Sequence, residues 1–573
     1  MKPVILLSTA CLVLAAMPAA QSVPRRPEPF VRVGVSYPIG LSRDRERAAA
    51  DLEAIQTLGF NTIRVPIRWA DVEPGRQQYR FDDLDRVLEL GGRAGLKVVL
   101  DLDIDALPEW LLRRYPDGRF VTASRTDGPR PERACLDHPG VRADVEAFLA
   151  AVVTRAASPP AWQTIDIGGV PDDRFCVCPH TERRFRAWLK STFGIEARPA
   201  ALAASDRAAF VALERRDHLG IVAGAVGGGR VTSSRTSVPS VVRQLFDEPP
   251  GQDDWLMATA VDHYGTLVPP DPGRMPPLTT AQLAFALDGM RSAARDKGWL
   301  MTDSAPGGRA GDLRLMTWAA FSRGARGVTY DDWRRSGPGG TSVGLVGPDD
   351  TITDRARAAG GLARVIGRNP ALFAPLRPRA AKIAIVYDPR LPADGARSAF
   401  LSLSNIYRSL FERNVQVDFV HLDQIAAGMA SRYNVVFVAS LTSLPVPAVE
   451  ALKAYAAAGG TVALGSAPLT DQQLVEVLAR AGVRPEVRIE WASGPVETRF
   501  LESAEVLMLI GLNHTDTPQR VKMTFTPDTQ EAIWQNMETG AAVNFVAGPE
   551  GPAYTYSFGP KDALVLMIRK SVR

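Results

Sequence analysis

"TIRVPIRWADVEPGRQQYRFDDLDRVLELGGRAGLKVVLDLD", residues 62 to 103, holds a strand, a helix and a second strand. TIRVPIR (62–68) and KVVLDLD (97–103) are short runs rich in β-branched residues, each bounded by turn-forming sequence. Between them Leu84, Val87, Leu88 and Leu90 lie largely on one face of a helix. Gly95 then supplies a helix stop. Two strands joined through a helix are the repeating unit of a parallel sheet.

The same alternation extends both ways. Candidate strands stand at 31–37, 162–167, 230–234, 256–264, 299–303 and 327–332, and a helical pattern ending at Gly59 precedes the quoted stretch. Eight strands with intervening helices predict a (β/α)8 TIM barrel over residues 28–375, with a doubly wound sheet as the alternative. Asp103, Asp166, Asp262, Asp303 and Asp331 end strands on the face where barrel enzymes work. Each one singly reads equally well as a cap for the next helix.

Beyond the proline-punctuated RNPALFAPLRPR the pattern restarts as a smaller parallel α/β domain, residues 378–485. Its first strand is followed by YDPRLPADG rather than a glycine-rich phosphate loop, which argues against a nucleotide site. Residues 486–573 alternate like antiparallel strands and predict a small β-sandwich-like domain.

Across 573 residues, 46% hydrophobic and 23% charged content is ordinary for globular protein, and 573 residues exceed what one core usually supports. A net charge of +4 without a dense basic run gives no reason to expect nucleic acid as a partner. The opening MKPVILLSTACLVLAAMPAAQS reads as a signal peptide over residues 1–20, which predicts a secreted or periplasmic protein. No other stretch approaches the roughly 18 apolar residues of a membrane span. Cys135, Cys176 and Cys178 then remain, an odd number, leaving open one disulfide from Cys135 with a spare thiol, or a metal site.

Several motifs together resemble glycoside hydrolase family 42, the β-galactosidase family. They are the Trp69–Glu73–Pro74 stretch, "LPEWLLRRYPDGRF", "RACLDHPGVR", "FCVCPHTERRFRAWLKSTFG", "WLMTDSAPGG" and "RLMTWAAFSRGARGVTYDDWRRS". The resemblance implies a barrel, a flavodoxin-like trimerisation domain, a small β-domain, a homotrimer and a carbohydrate substrate. Retaining glycosidases use two carboxyl groups about 5–5.5 Å apart, which this clan places at the ends of strands 4 and 7. The strand 7 glutamate falls on Asp303, the expected nucleophile or base. The strand 4 Asn-Glu pair falls on Asp166-Ile167, so either another carboxyl supplies the proton, from Asp166, Asp172, Asp173, Asp103 and Asp332 with Asp172 and Asp173 preferred, or a substrate carboxyl or good leaving group lowers the need for one. The galactose-contacting Glu and His after strand 8 are absent from RRSGPGGTSVGLVG. The expected function is an exported glycoside hydrolase acting on a β-linked glycan or oligosaccharide. The alternative is a catalytically silent sugar binder on the same barrel.

Trp69, Trp110, Tyr264 and Trp333 are expected to contact sugar, aromatic faces being natural stacking partners. Arg133 matches a sugar-site arginine of the family. Arg64 inside a strand needs a carboxylate or a substrate oxygen, with Glu73 as a candidate. Many family members bind structural zinc through four cysteines. Here Cys135, Cys176 and Cys178 match, Thr181 takes the fourth place, and adjacent His180 offers a Cys3His set. No cofactor is expected for catalysis.

Overall fold

The computed structural model describes residues 31–122, 132–157, 162–169, 175–195, 200–227, 230–246, 252–270, 276–303, 308–334, 344–347, 349–389, 396–442, 444–465, 469–525 and 533–570. The leader, Asp172 and Asp173 lie outside them.

Eight parallel strands close a barrel in chain order: β1 (Arg32–Ser36), β2 (Thr62–Arg68), β3 (Lys97–Asp103), β4 (Trp162–Gly169), β5 (Val231–Thr236), β6 (His263–Val268), β7 (Trp299–Asp303) and β8 (Ala325–Asp332). The quoted stretch folds as read, and its helix, Asp82–Arg93, buries Leu84, Val87, Leu88 and Leu90. β4 carries a register irregularity against β5 between Asp166 and Gly169, with Gly168 at a φ of 43°.

One strand differs from expectation. Residues 256–264 do not form it: Asp253 accepts hydrogen bonds from the backbone N–H groups of Trp255 and Leu256 and caps a helix, Asp254–Ala260. β6 begins at His263, so His263 and Tyr264 open this strand at the far end of the barrel from the mouth. A short apolar run carries no periodicity strong enough to separate the two readings.

The following domain has four parallel strands in the order Val417–His421, Ile383–Tyr387, Val435–Val438, Thr461–Leu464. Two antiparallel sheets make the C-terminal part, three-stranded and six-stranded. Arg377–Pro378, within the proline-punctuated stretch, joins the edge of the larger sheet against Leu501 and Glu502. One face of that sheet, including Met508, Ile510 and Val565, shares the barrel's own core. Its other face packs on the smaller sheet through Leu509, Leu564 and Val521. The barrel helix Thr280–Ala294 packs through Phe285 against Phe400, Tyr407 and Phe419 of the middle domain. Shared apolar cores of this kind fix the parts against one another.

Candidate active site

A cavity of about 280 Å³ opens beside the carboxyl ends of β2 to β5. That is near the lower end of the range for small-molecule sites, about 300–1,000 Å³. Its lining includes Trp69, Asp101, Asp103, Arg133, Ile167 and Arg235 from the barrel side. The helix Ala200–Val226 supplies the opposite wall with Glu214, Arg215, His218, Leu219 and Val222, a stripe at three- and four-residue spacing.

Under the cavity floor lies an ionic network. Asp166 receives three guanidinium bonds from Arg32 (3.2 to 3.3 Å), bonds to Ser233 and has Arg235 4.0 Å away. Burial alone would raise its pKa, but Arg32, Arg235 and Arg64 outweigh that and hold the carboxyl below its ordinary value. Asp101 takes Arg235 at 2.9 Å and Arg64 at 3.7 Å. Arg64 is thus matched by Asp101. Glu73 is occupied otherwise, accepting from the Trp69 indole N–H at 2.7 Å and the Gln77 backbone N–H at 2.6 Å. Nε and Nη1 of Arg64 are buried with no hydrogen-bond acceptor.

Two further carboxyls line the cavity in a different state. Asp103 ends β3 and accepts the backbone N–H groups of Asp105 and Ala106 at 3.1 and 3.2 Å. Burial, then the neighbouring Asp105, raises its pKa. Glu214 is buried, and burial together with a hydrogen bond shared with Asp137 pushes its carboxyl up to about 9. It is therefore a neutral acid at pH 7, and its Oε1 has no hydrogen-bond partner. Asp137 is held well below the ordinary range despite burial, by His218 at 2.9 Å, Glu214 and Arg184 at 2.7 Å.

The other expected residues fall as follows. Trp69 lines the cavity with its ring stacked on Phe148 at 5.4 Å. Trp110 stands edge-on behind Trp69, its N–H on the Glu73 carbonyl, and is not in the lining. Arg133 lines the cavity, ion-paired to Asp105 and lying over Phe120. Tyr264 is not at the mouth: it is buried, donating to Asp254 and receiving from Gln252, because its strand starts there. Trp333 is buried off the cavity lining, its indole N–H without an acceptor. Asp303 is also buried, ion-paired to Arg355, and not in the lining. In a closed eight-strand barrel β7 stands opposite β3, which places Asp303 across the mouth from Asp103.

The three cysteines are free and buried, their sulfurs within 4.8 Å of one another, so the disulfide alternative gives way. Thr181 Oγ1 fills the fourth direction, 3.3 Å from Cys135 Sγ and 3.7 Å from Cys178 Sγ, while donating to Asp137 at 2.8 Å. His180 turns away to Asp117 at 3.2 Å and Arg183 at 2.9 Å and does not complete a Cys3His set. The Cys176 thiol is lowered to about 5, chiefly by the hydrogen bond from Cys135, which is itself raised far. Three convergent sulfurs, one of them lowered toward the thiolate, suit a soft cation.

Glu214 and His218 are the residues that sequence reasoning passed over. Their signal was there: "FVALERRDHLG" sets an acid and an imidazole four apart, on one face of a helix.

Comparison with known proteins fits this geometry. The glycoside hydrolase family 42 model, described as beta-galactosidase, matches residues 41–202. Beta-galactosidase BgaA of Clostridium cellulovorans is 29% identical over 167 residues, 28% of this chain and 25% of its own length. An Arthrobacter beta-galactosidase is 27% identical over 473 residues, 72% of this chain and 65% of its own. The chain thus spans less than two thirds of either relative. The structure of a catalytic mutant of Gan42B, a GH42 beta-galactosidase from G. stearothermophilus, superposes with a TM-score of 0.79 at 16% identity, covering 95% of this chain and 99% of that one. This is a family 42-like protein. Ile167, which follows Asp166 in β4, lines the cavity. Among the described residues no helix is long and apolar enough to cross a membrane.

Proposed function

We propose that this protein is an exported glycoside hydrolase acting on a β-linked glycan or oligosaccharide in the β2–β5 cavity. The reading is carried by one observation: a neutral buried acid, Glu214, and a half-buried carboxyl, Asp103, line the same cavity. Glycoside cleavage needs a proton donor for the leaving oxygen and a second carboxylate acting as nucleophile or base. Glu214 keeps its proton at neutral pH and serves as the donor that Ile167 cannot be. Asp103 serves as the second carboxylate. Asp303, the family-equivalent position, is then an ion-pair anchor for Arg355.

A series of aryl β-glycosides of rising leaving-group pKa tests the assignment. Glu214→Gln should lose about 10²- to 10⁴-fold in turnover with poor leaving groups and far less with good ones, which need no protonation. Asp103→Asn should lose turnover with both, and Asp303→Asn with neither. Turnover abolished by Asp303→Asn but untouched by Asp103→Asn would return the nucleophile to β7.

A second reading, a silent sugar binder, is favoured by the arginine partners that occupy both Asp166 and Asp303. Calorimetric binding of an oligosaccharide without cleavage by the wild type would select it.

Three finer points belong to the same proposal. The cysteines hold a structural zinc with Thr181 at its fourth side, supported by the convergent sulfurs; metal analysis of purified protein checks it. The leader directs export, checked by the N-terminal residue of secreted material. The chain assembles as a homotrimer through the middle domain's family likeness, checked by light scattering.

A further inference from the structure

Far from the cavity, the turn between strands Val487–Glu490 and Val496–Glu502 holds an unusual residue. Trp491 has a φ of 71° and is 62% exposed. A bulky side chain on left-handed backbone is a genuine outlier, and such strain persists where the surroundings over-determine it. Here Gln519 Oε1 accepts from the Ser493 backbone N–H at 2.9 Å and from its hydroxyl at 3.0 Å, fastening the turn. The fold therefore holds a large apolar ring out in water, against both backbone preference and the hydrophobic effect.

The ring has cationic company. The Arg520 guanidinium carbon is 5.9 Å from its centroid and the Lys522 ammonium 6.0 Å. Both come from strand Gln519–Phe525, two residues apart and thus on one face of it. Lys522 also pairs with Glu490 at 3.0 Å. Arg520 makes no ion pair among the described residues.

Ala492 and Ser493, the next two residues, line a groove of about 840 Å³ between the middle and C-terminal domains. Its walls include Asn405, Arg408 and Glu412. Arg408 likewise has no ion pair among the described residues. An exposed ring with Arg520 beside it, followed in the chain by residues that line a groove holding Arg408, has the features of a saccharide-chain site.

We propose that Trp491 and this groove bind an acidic polysaccharide chain. A sugar ring stacks on the indole, and Arg520 and Arg408 take the carboxylate or sulfate groups along the chain. Planar indole matches the apolar face of a pyranose, and guanidinium groups match oxyanions in paired hydrogen bonds. Glu412, the carboxylate in the groove, would repel an anionic group placed against it and so sets where along the chain the charges fall. The site stands whether or not the β2–β5 cavity hydrolyses sugar.

Affinity electrophoresis of the full chain through polygalacturonate, a sulfated galactan and neutral galactan tests this. Retardation is expected with at least one acidic gel, and which one separates carboxylate from sulfate recognition. Trp491→Ala and the double variant Arg408→Gln/Arg520→Gln should each weaken it at least tenfold, with aryl-glycoside turnover unchanged. Trp491→Gly should raise the thermal midpoint, by relieving the backbone, while abolishing retardation. No acidic gel retarding the wild type, equal retardation by neutral galactan, or equal retardation of wild type and Trp491→Ala would each overturn the proposal. So would a wild type that self-associates through Trp491 without binding any glycan.

Discussion

Two buried arginine–carboxylate clusters invite comparison. One lies inside the barrel under the cavity: Arg32, Arg64 and Arg235 against Asp101 and Asp166. The other seals the junction of all three domains. There Asp288 accepts from Arg499 at 2.7 and 3.1 Å and from the Tyr407 hydroxyl at 2.5 Å. Glu497 takes Arg323 at 2.6 Å, Arg499 at 2.7 Å and His514 at 3.0 Å. At the junction nearly every donor is matched, and burial notwithstanding, Arg499, Arg323 and Arg291 hold Asp288 down to about 2. Under the cavity two nitrogens of Arg64, Nε and Nη1, have no acceptor. A sealed network joins parts of a molecule. An unsaturated one leaves uncompensated positive charge behind the cavity floor.

Breaking the junction should cost most. Asp288→Ala takes from Arg499, Arg323 and Arg291 the one carboxylate they share in a dry interior and should destabilise by about 3–5 kcal/mol, read as a large drop in thermal midpoint. Neutralising an acid under the cavity should cost less, because its partner Arg235 lines the cavity. Asp101→Asn is expected to lose about 1–3 kcal/mol while weakening sugar binding, measured by calorimetry. Equal losses at the two sites would erase the distinction.

The next effect is one of pH. Folded Glu214 holds its proton to about 9, whereas the unfolded chain releases it near the ordinary glutamate value. Between those values the unfolded state binds fewer protons, so the stability Glu214 contributes is full below about 4.5 and falls as pH rises toward 9. Glu214→Gln should flatten that decline, seen as thermal midpoints at pH 5 and 8.5 that converge relative to the wild type. The smallest change is Thr181→Cys, which presents a fourth sulfur to the three already convergent. It should tighten zinc retention against a chelator with little effect on the midpoint.

The contrast also marks what a sequence discloses. The barrel was legible because strand and helix periods repeat, and each strand reads from its own residues, as in TIRVPIR and KVVLDLD. β6 was not: LMATAVDHY is apolar and short, and the Asp253 cap that makes its first part helical was the deciding local signal. Aspartates at strand ends were visible, but not their partners. Arg32 and Asp166 are 134 residues apart, Arg355 and Asp303 are 52 apart, and only folding reveals which acids are already matched. Glu214 escaped notice for the converse reason. Its spacing from His218 was visible, but its raised pKa comes from burial beside Asp137, which that spacing does not encode.

The two-residue strand Arg377–Pro378 has a topological consequence. Because it pairs with Leu501 and Glu502, the chain leaves for the middle domain and comes back to neighbouring strands of a single sheet. That domain is thus an excursion whose exit and return are pinned side by side, held by two short stalks like a bracket on a wall. It has little freedom to swing, and any load it carries is transmitted into the sheet that shares the barrel's core.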